Sequence, residues 1–453
     1  MSKFLTIFSG PKAPEEPTKV NFAGLLNHGN TCYCNSVIQA LYACPLFRTR
    51  LLQYNDAMRQ SRSYLFAKKS PGSTLLFLLS DIFRKIQAAG DGPDNVVDPR
   101  EFISFLRAEN ETFNSRAHQD AHEFFTFMLN SMAETLEKET RPAAHSPVVG
   151  SLASAAGTPP SAAPSTWIHH LFAGMFVYET RCLSCERVTK KTEQFFELSL
   201  NLVAERPQPS AAAAASAAAA ANAASSTRPS APGAGAGPGP GADPPATPPG
   251  VVHLPVQRSN YQASALNTQH VSVSFCLRRF ATCELLRGQD KFRCASALCA
   301  GAPQEAERSI RVAEPPPILT LHLKRFRSGT AFADAFAQQY HGPGRLVGGD
   351  KLNSRIPFPT QLRLAELLTP EAEDHTYTLM SVVVHIGADL SQGHYIAITR
   401  TSDDCWTVFD DQVMHIVPNR DLGRYFGLPL SKPNERVITQ TGYLLFYEKS
   451  ADL

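Results

Sequence analysis

Apolar residues recur at helical spacing early in this chain and at alternating spacing later, and that switch limits the fold more than any other feature. From Cys32 to about Leu136 the pattern is helical, in CYCNSVIQALYAC, STLLFLLSDIFRKI, DPREFISFLRAE and QDAHEFFTFMLNSMAETLEKE. From Met175 onward short alternating runs take over: MFVYETRC, FFELSLNL, PILTLHLKRF, YTLMSVVVHI, HYIAITR, WTVFDD and GYLLFYE. Helices segregated from strands predict an α+β fold built on an antiparallel sheet.

Two stretches do not fit either period. Residues 204–250 are Ala, Pro, Gly and Ser, including SAAAAASAAAAANAASS and GAGAGPGPGADPPATPPG, and residues 141–166 read the same way. Without large apolar side chains to dock on a core, both are expected to be disordered. Related motifs lie on either side of each, so they read as insertions into one domain spanning 21–450, after an extension of residues 1–20. The formal net charge of +2 over 453 residues gives no polyelectrolyte surface for nucleic acid. No apolar run is long enough to cross a bilayer, and the start lacks an export pattern. The ten cysteines are therefore expected to be thiols, metal ligands or a nucleophile in the cytoplasm or nucleus.

One cysteine has the setting of a nucleophile. In GLLNHGNTCYCNS a loop runs into a helix, with Asn30 or Thr31 as its N-cap and Cys32 in the first turn. Unpaired N–H groups and the positive end of the helix dipole favour thiolate there. Cys34 falls in the apolar stripe with Val37, Ile38, Leu41 and Cys44 and reads as core, whereas Cys32 lies on the other side.

A base follows from a β-meander. Strands at Tyr377–Ile386, His394–Arg400 and Cys405–Asp410 are joined by GADLSQG and TSDD. Antiparallel pairing of the last two brings His394 beside Asp410 or Asp411, and a carboxylate there would hold the imidazole Nδ1–H. Asp410 is preferred and Asp411 is the reserve, because one register step exchanges faces. Gly393 leaves room for a substrate backbone next to the imidazole. His385 is the rival histidine, without a comparable acid.

Together these segments resemble the ubiquitin-specific protease family of deubiquitinases. The resemblance is carried by GLLNHGNTCYCNSVIQALYACPLF, HQDAHEFFTFML, YTLMSVVVHIG, GHYIAIT, WTVFDD and GYLLFYE, in that order. It implies a papain-like hand, with a helical thumb at about 21–140 and β-rich fingers and palm at about 167–450. It further implies hydrolysis of the isopeptide bond after ubiquitin's C-terminal glycine. Cys32 would form the thioester, His394 would protonate the leaving amine, and Asn27 would donate to the oxyanion. No cofactor is expected for the chemistry. Gln119, Asp120, Glu123, Gly393 and Tyr395 would line the path of ubiquitin's tail, while Leu323–Phe326 reads as structural. The branch most resembled is that of ubiquitin carboxyl-terminal hydrolases 12 and 46, which implies an activating WD-repeat β-propeller partner at the fingers. A catalytically weak ubiquitin-binding scaffold, or a protease for another ubiquitin-like modifier, is the alternative.

A structural zinc site is also expected. Cys182 and Cys185 form one knuckle; Cys294 and Cys299 form a second with the wider C-x4-C spacing, leaving Cys283 as a possible substitute. Four protein ligands would leave no open position for catalysis.

Overall fold

The computed structural model describes residues 21–60, 71–90, 92, 95–114, 117–140, 166–202, 271–326, 351–387, 393–428 and 439–450. The extension 1–20 and, apart from Thr166, both expected insertions lie outside these residues.

The first part of the chain is helical, in α1 (Cys32–Tyr42), α2 (Pro45–Gln60), α3 (Pro71–Ala88), α4 (Arg100–Glu109), α5 (Ala121–Thr140) and α6 (Trp167–Phe172), with a single turn at Glu111–Asn114. A later helix, α7 (Val273–Phe280), starts on Ser272, whose Oγ accepts from the Phe275 N–H. The helical period marks α1, α3, α4 and α5 but not α2. Only Phe47, Leu51 and Asn55 of α2 are buried, a stripe one residue wide whose last member is polar. Asn55 is accommodated by donating to Ser80 Oγ of α3 at 2.7 Å.

The strands form two main sheets, after a short parallel pair of β1 (Gly24–Leu25) and β2 (Val96–Val97). β3 (Gly174–Cys182), β4 (Val188–Phe195), β6 (Glu284–Leu286) and β9 (Ala306–Glu314) make a sheet in the order β4-β3-β9-β6, with β5 (Leu198–Asn201) leaving it for the second sheet. β7 (Phe292–Arg293) and β8 (Pro303–Gln304) pair nearby. The second sheet contains β10 (Ile318–Lys324), β11 (Gln361–Arg363), β12 (Thr376–Gly387), β13 (Gly393–Arg400), β14 (Cys405–Asp410), β15 (Val413–Pro418) and β16 (Gln440–Lys449). Its order is β15-β14-β13-β12-β16-β10-β5, with β11 on β12. It is antiparallel as expected except at β5–β10, which run parallel.

The middle strands of this sheet are buried on both faces, which is why YTLMSVVVHI and GYLLFYE read as nearly continuous apolar runs. Ile318, Val383, Leu444 and Phe446 pack against the helices. Val382, Val384, Leu445 and Tyr447 face the other way. A bulge at Tyr443 turns that ring toward the helices alongside Leu444, because the extra residue breaks the alternation.

Arg325, in the LKRF segment, is fully buried and has backbone carbonyls as its partners: Gly442 at 2.6 Å, Leu352 at 2.8 Å, Ser354 at 3.0 Å and Phe426 at 3.5 Å. It ties three segments to the end of β16. Arg325→Leu strands those carbonyls and is expected to lower the unfolding free energy by about 3 kcal/mol in urea titration.

Candidate active site

Helix α1 carries Cys32 at its first position and is buried along its whole length. Its polar side chains therefore donate inward: Gln39 to Ala23 O, Ser36 to Tyr33 O, and Asn35 to the Asp411 carboxylate. Thr31 occupies the N-cap position, but its hydroxyl does not cap the helix. Instead it accepts from the His28 N–H and donates to Asn27 Oδ1. The first N–H groups of α1 thus keep no side-chain cap, and they point toward the place where Cys32 begins the helix. Cys32 is only 2% exposed. Cys34 sits in the core as expected, and burial drives its thiol well above the ordinary range.

His394 enters from β13. Its pKa is pushed up to about 9, chiefly by hydrogen bonding with Cys32 and also by Asp410, against the opposing effect of burial. Its Nε2 meets Asp410 Oδ1 at 2.6 Å. The carboxylate therefore holds Nε2 rather than the expected Nδ1, and Nδ1 is left for the sulfur. Register decides between the two acids. Ala397 lies opposite Phe409, so Asp410 falls on the face of His394 and Asp411 on that of Tyr395. The imidazole and the Asp410 carboxylate are the open members of the trio, 34% and 50% exposed.

Asp411 does a different job. Its backbone is left-handed (φ 51°) in the two-residue turn between β14 and β15. Its carboxylate accepts from Asn27 Nδ2 at 2.6 Å and from Asn35 Nδ2 at 2.8 Å, while its carbonyl accepts from the Leu25 N–H at 2.9 Å. Asn27 Oδ1 in turn accepts from the Gly29 and Thr31 N–H groups. Asn27 is thereby fixed beside the start of α1, with the second of its two amide protons directed away from that carboxylate.

The family model described as "Ubiquitin carboxyl-terminal hydrolase" matches residues 23–447. This chain belongs to the ubiquitin carboxyl-terminal hydrolase family. Ubiquitin carboxyl-terminal hydrolase 12 of Salmo salar is 32% identical over 440 residues, 95% of this chain and 91% of that protein. Ubiquitin carboxyl-terminal hydrolase 4 of Arabidopsis thaliana is 31% identical over 444 residues, 95% and 94% of the two chains. The fold is shared with the SAGA Ubp8/Sgf11/Sus1/Sgf73 DUB module bound to ubiquitin aldehyde, at TM-score 0.61 and 18% identity, covering 98% of this chain and 72% of that one. The same module with a Ubp8 variant, bound to monoubiquitin, gives TM-score 0.60 at 17% identity, covering 99% and 74%.

The remaining expected residues of this ubiquitin carboxyl-terminal hydrolase take varied places. Asp120 caps α5 by accepting from the His122 N–H at 2.7 Å, and both its oxygens accept from Tyr443 Oη at 2.8 Å. Tyr443 carries no sequence signal for this role, since only the bulge aims it here. Gln119 is half-buried just before α5, and Glu123 is exposed in its first turn. Tyr395 is buried, its ring between His385 and Tyr443. Gly393 is confined from within: a Cβ there would lie 2.1 Å from His385 Nε2, so the side-chain space is filled by that ring. His385 is fully buried and pushed down to about 2 by burial and by nearby Lys351, which removes it as a base.

Cys182, Cys185, Cys294 and Cys299 converge, with all four sulfurs within 4.8 Å of one another. Cys182–Cys299 is 3.9 Å and Cys185–Cys294 is 3.6 Å. These are far too long for disulfides and match the about 3.8 Å between sulfurs of a tetrahedron with metal–sulfur bonds of about 2.3 Å. The crowded thiols split: hydrogen bonds from the Arg187 backbone N–H and the Ser296 side chain lower Cys185 to about 6, while burial and the neighbouring sulfurs push Cys299 up to about 12. Cys283 is exposed and stands outside the cluster.

Because hydrogen bonding raises His394, its imidazolium persists to about pH 9 and is lost above it. Amide turnover, which needs that proton for the leaving amine, is expected to fall along an alkaline limb near pH 9. Asp410→Asn removes one of the raising partners and shifts that limb downward in a pH profile of kcat/KM.

Proposed function

We propose that this chain is a cysteine-type deubiquitinase that hydrolyses the isopeptide bond after the C-terminal glycine of ubiquitin. What carries the reading is His394 set between Cys32 and Asp410, with the carboxylate bound to its Nε2, in a chain that matches the family model over residues 23–447. Cys32 Sγ attacks the glycine carbonyl carbon. The resulting oxyanion is met by the remaining Asn27 amide proton and the Cys32 backbone N–H. His394 gives its proton to the departing lysine nitrogen, leaving a thioester on Cys32. Water, deprotonated by His394, then attacks the thioester and releases ubiquitin and the thiol. Asp410 holds the ring through Nε2 and stabilises its charged form. Gln119, just before α5, would meet ubiquitin's extended tail, while Asp120 would hold the start of that helix and the Tyr443 ring in place behind it. A scaffold reading is not favoured, because Cys32, His394 and the acid are all present and joined.

The reading extends beyond the chemistry. The four-cysteine cluster suits structural zinc, held by Cys182, Cys185, Cys294 and Cys299 where little apolar core is at hand. Leu183 and Leu298, one in each knuckle, are exposed and offer apolar contacts to the WD-repeat activating partner. We assign the enzyme to the cytoplasm or nucleus, where the cysteines outside the zinc cluster would stay reduced.

Ubiquitin carrying a C-terminal electrophile is expected to label the protein covalently, and Cys32→Ala to abolish labelling while Cys34→Ala retains it. Absence of labelling, with a propeller partner supplied, sinks the enzyme reading. For the metal, elemental analysis should find about one zinc per chain, lost in Cys294→Ser together with the fold of the fingertip.

A further inference from the structure

The edge of the second sheet beyond the catalytic pair has no further strand paired to it among the described residues. β15 is the outermost strand and pairs with β14 on one side only. Its sequence, VMHIVP, contains no Lys, Arg, Asp or Glu, and its one edge-blunting residue, Pro418, stands at the end away from the catalytic pair. Such charges are a common means by which an edge strand avoids pairing with another chain. Two of its apolar side chains stand in solvent, Val413 at 57% exposed and Ile416 at 69%. They point to opposite faces of the sheet, so an added strand would find one contact on each.

The position of this edge matters as much as its composition. Val413 lies directly opposite Asp410 across the β14–β15 turn. Cys32 is buried, whereas His394 and Asp410 are the open members of the site. The leaving lysine nitrogen must take its proton from His394, so the polypeptide that bears this lysine stands on the open side of the pair. Beyond the Asp411–Gln412 turn, whose backbone is met by Leu25 and Gly24, the outer side of β15 pairs with no strand among the described residues.

We propose that the free edge of β15 receives the lysine-bearing segment of the conjugated protein, which adds to the sheet as an extended strand. The proposal rests on the deubiquitinase reading and names how its leaving side is held. Main-chain hydrogen bonds supply the binding, which makes the edge tolerant of substrate sequence, while Val413 and Ile416 favour apolar residues beside them. Such a rail would select conjugates whose modified lysine lies in an unfolded or terminal stretch. A lysine in the middle of a rigid helix could not pair there.

Two substrates separate the possibilities, both tested on the full chain. One is ubiquitin with a small fluorogenic amide at its C-terminus; the other is ubiquitin isopeptide-linked to a lysine within a short unstructured peptide. Ile416→Lys, at an exposed position away from the catalytic groups, should raise KM for the peptide conjugate about tenfold, through loss of edge pairing. The fluorogenic substrate should be turned over as by wild type, and Ile416→Val should match wild type on both. Equal change on the two substrates, or no change on either, overturns the proposal. So does a rise in peptide-conjugate turnover shared by Ile416→Lys and a deletion of residues 1–20, which would mean that the chain's own N-terminal segment holds the edge. If wild type cleaves neither substrate, the deubiquitinase reading itself fails, a result distinct from the others.

Discussion

The carboxylate of Asp411 is where the helical and β-rich parts of this enzyme are fastened at the point of chemistry. One oxygen is bound by Asn27 from the loop before α1, the other by Asn35 from within α1, and its backbone carbonyl by Leu25. The thiol comes from one part and the imidazole from the other, so their alignment depends on a tie of this kind. Charge-assisted hydrogen bonds suit the task, being both short and directional. The left-handed backbone of Asp411 makes the turn after β14 and brings its side chain back to Asn27 and Asn35. Asp410, its neighbour in sequence, is freed to serve the imidazole alone.

Behind His394 the sheet interior carries positive groups whose partners are carbonyls. Lys351 donates to the carbonyls of His385, Gly387 and Thr439, and burial lowers it to about 7. Arg325 is treated the same way and is lowered to about 9. Both cations sit where strands end and the regular ladder leaves carbonyls unpaired, so they act as cross-ties for irregular backbone. Their field also falls on His385 and helps keep it neutral beneath Gly393. Two histidines of one hairpin thus end at opposite extremes, His394 held charged by partners and His385 held neutral by burial.

Much of this is legible in the sequence where a pattern repeats. The wide apolar stripes of α1, α3, α4 and α5, and the three strands of the meander, declare themselves because many residues report the same period. Single decisions are less legible. Asp410 and Asp411 are equivalent until register is known, and register follows from how β13 and β14 seat their apolar faces. Asn35 sits in a helix that has no solvent side, so a polar residue that periodicity would send outward is an internal fastener. Tyr443 stays hidden because a bulge overrides the alternation by which strand residues are placed. The parallel pairing of β5 with β10 joins segments separated by a long stretch of chain, and no local period encodes such a partnership.

The four-cysteine cluster has a consequence for how this chain can grow. Cys185 and Cys294 are 109 residues apart in sequence but meet at 3.6 Å, and β3 lies against β9 along the same span. The segment between Leu202 and Val271 therefore begins and ends on structure that is held together without it. The entropy of closing such a connection rises only logarithmically, so doubling its length costs about 0.6 kcal/mol. Lineages carrying this architecture could lengthen, shorten or rewrite that segment almost without thermodynamic consequence for the hand that surrounds it. The Ala, Pro and Gly found there mark a stretch in which composition can drift while the catalytic scaffold stays put.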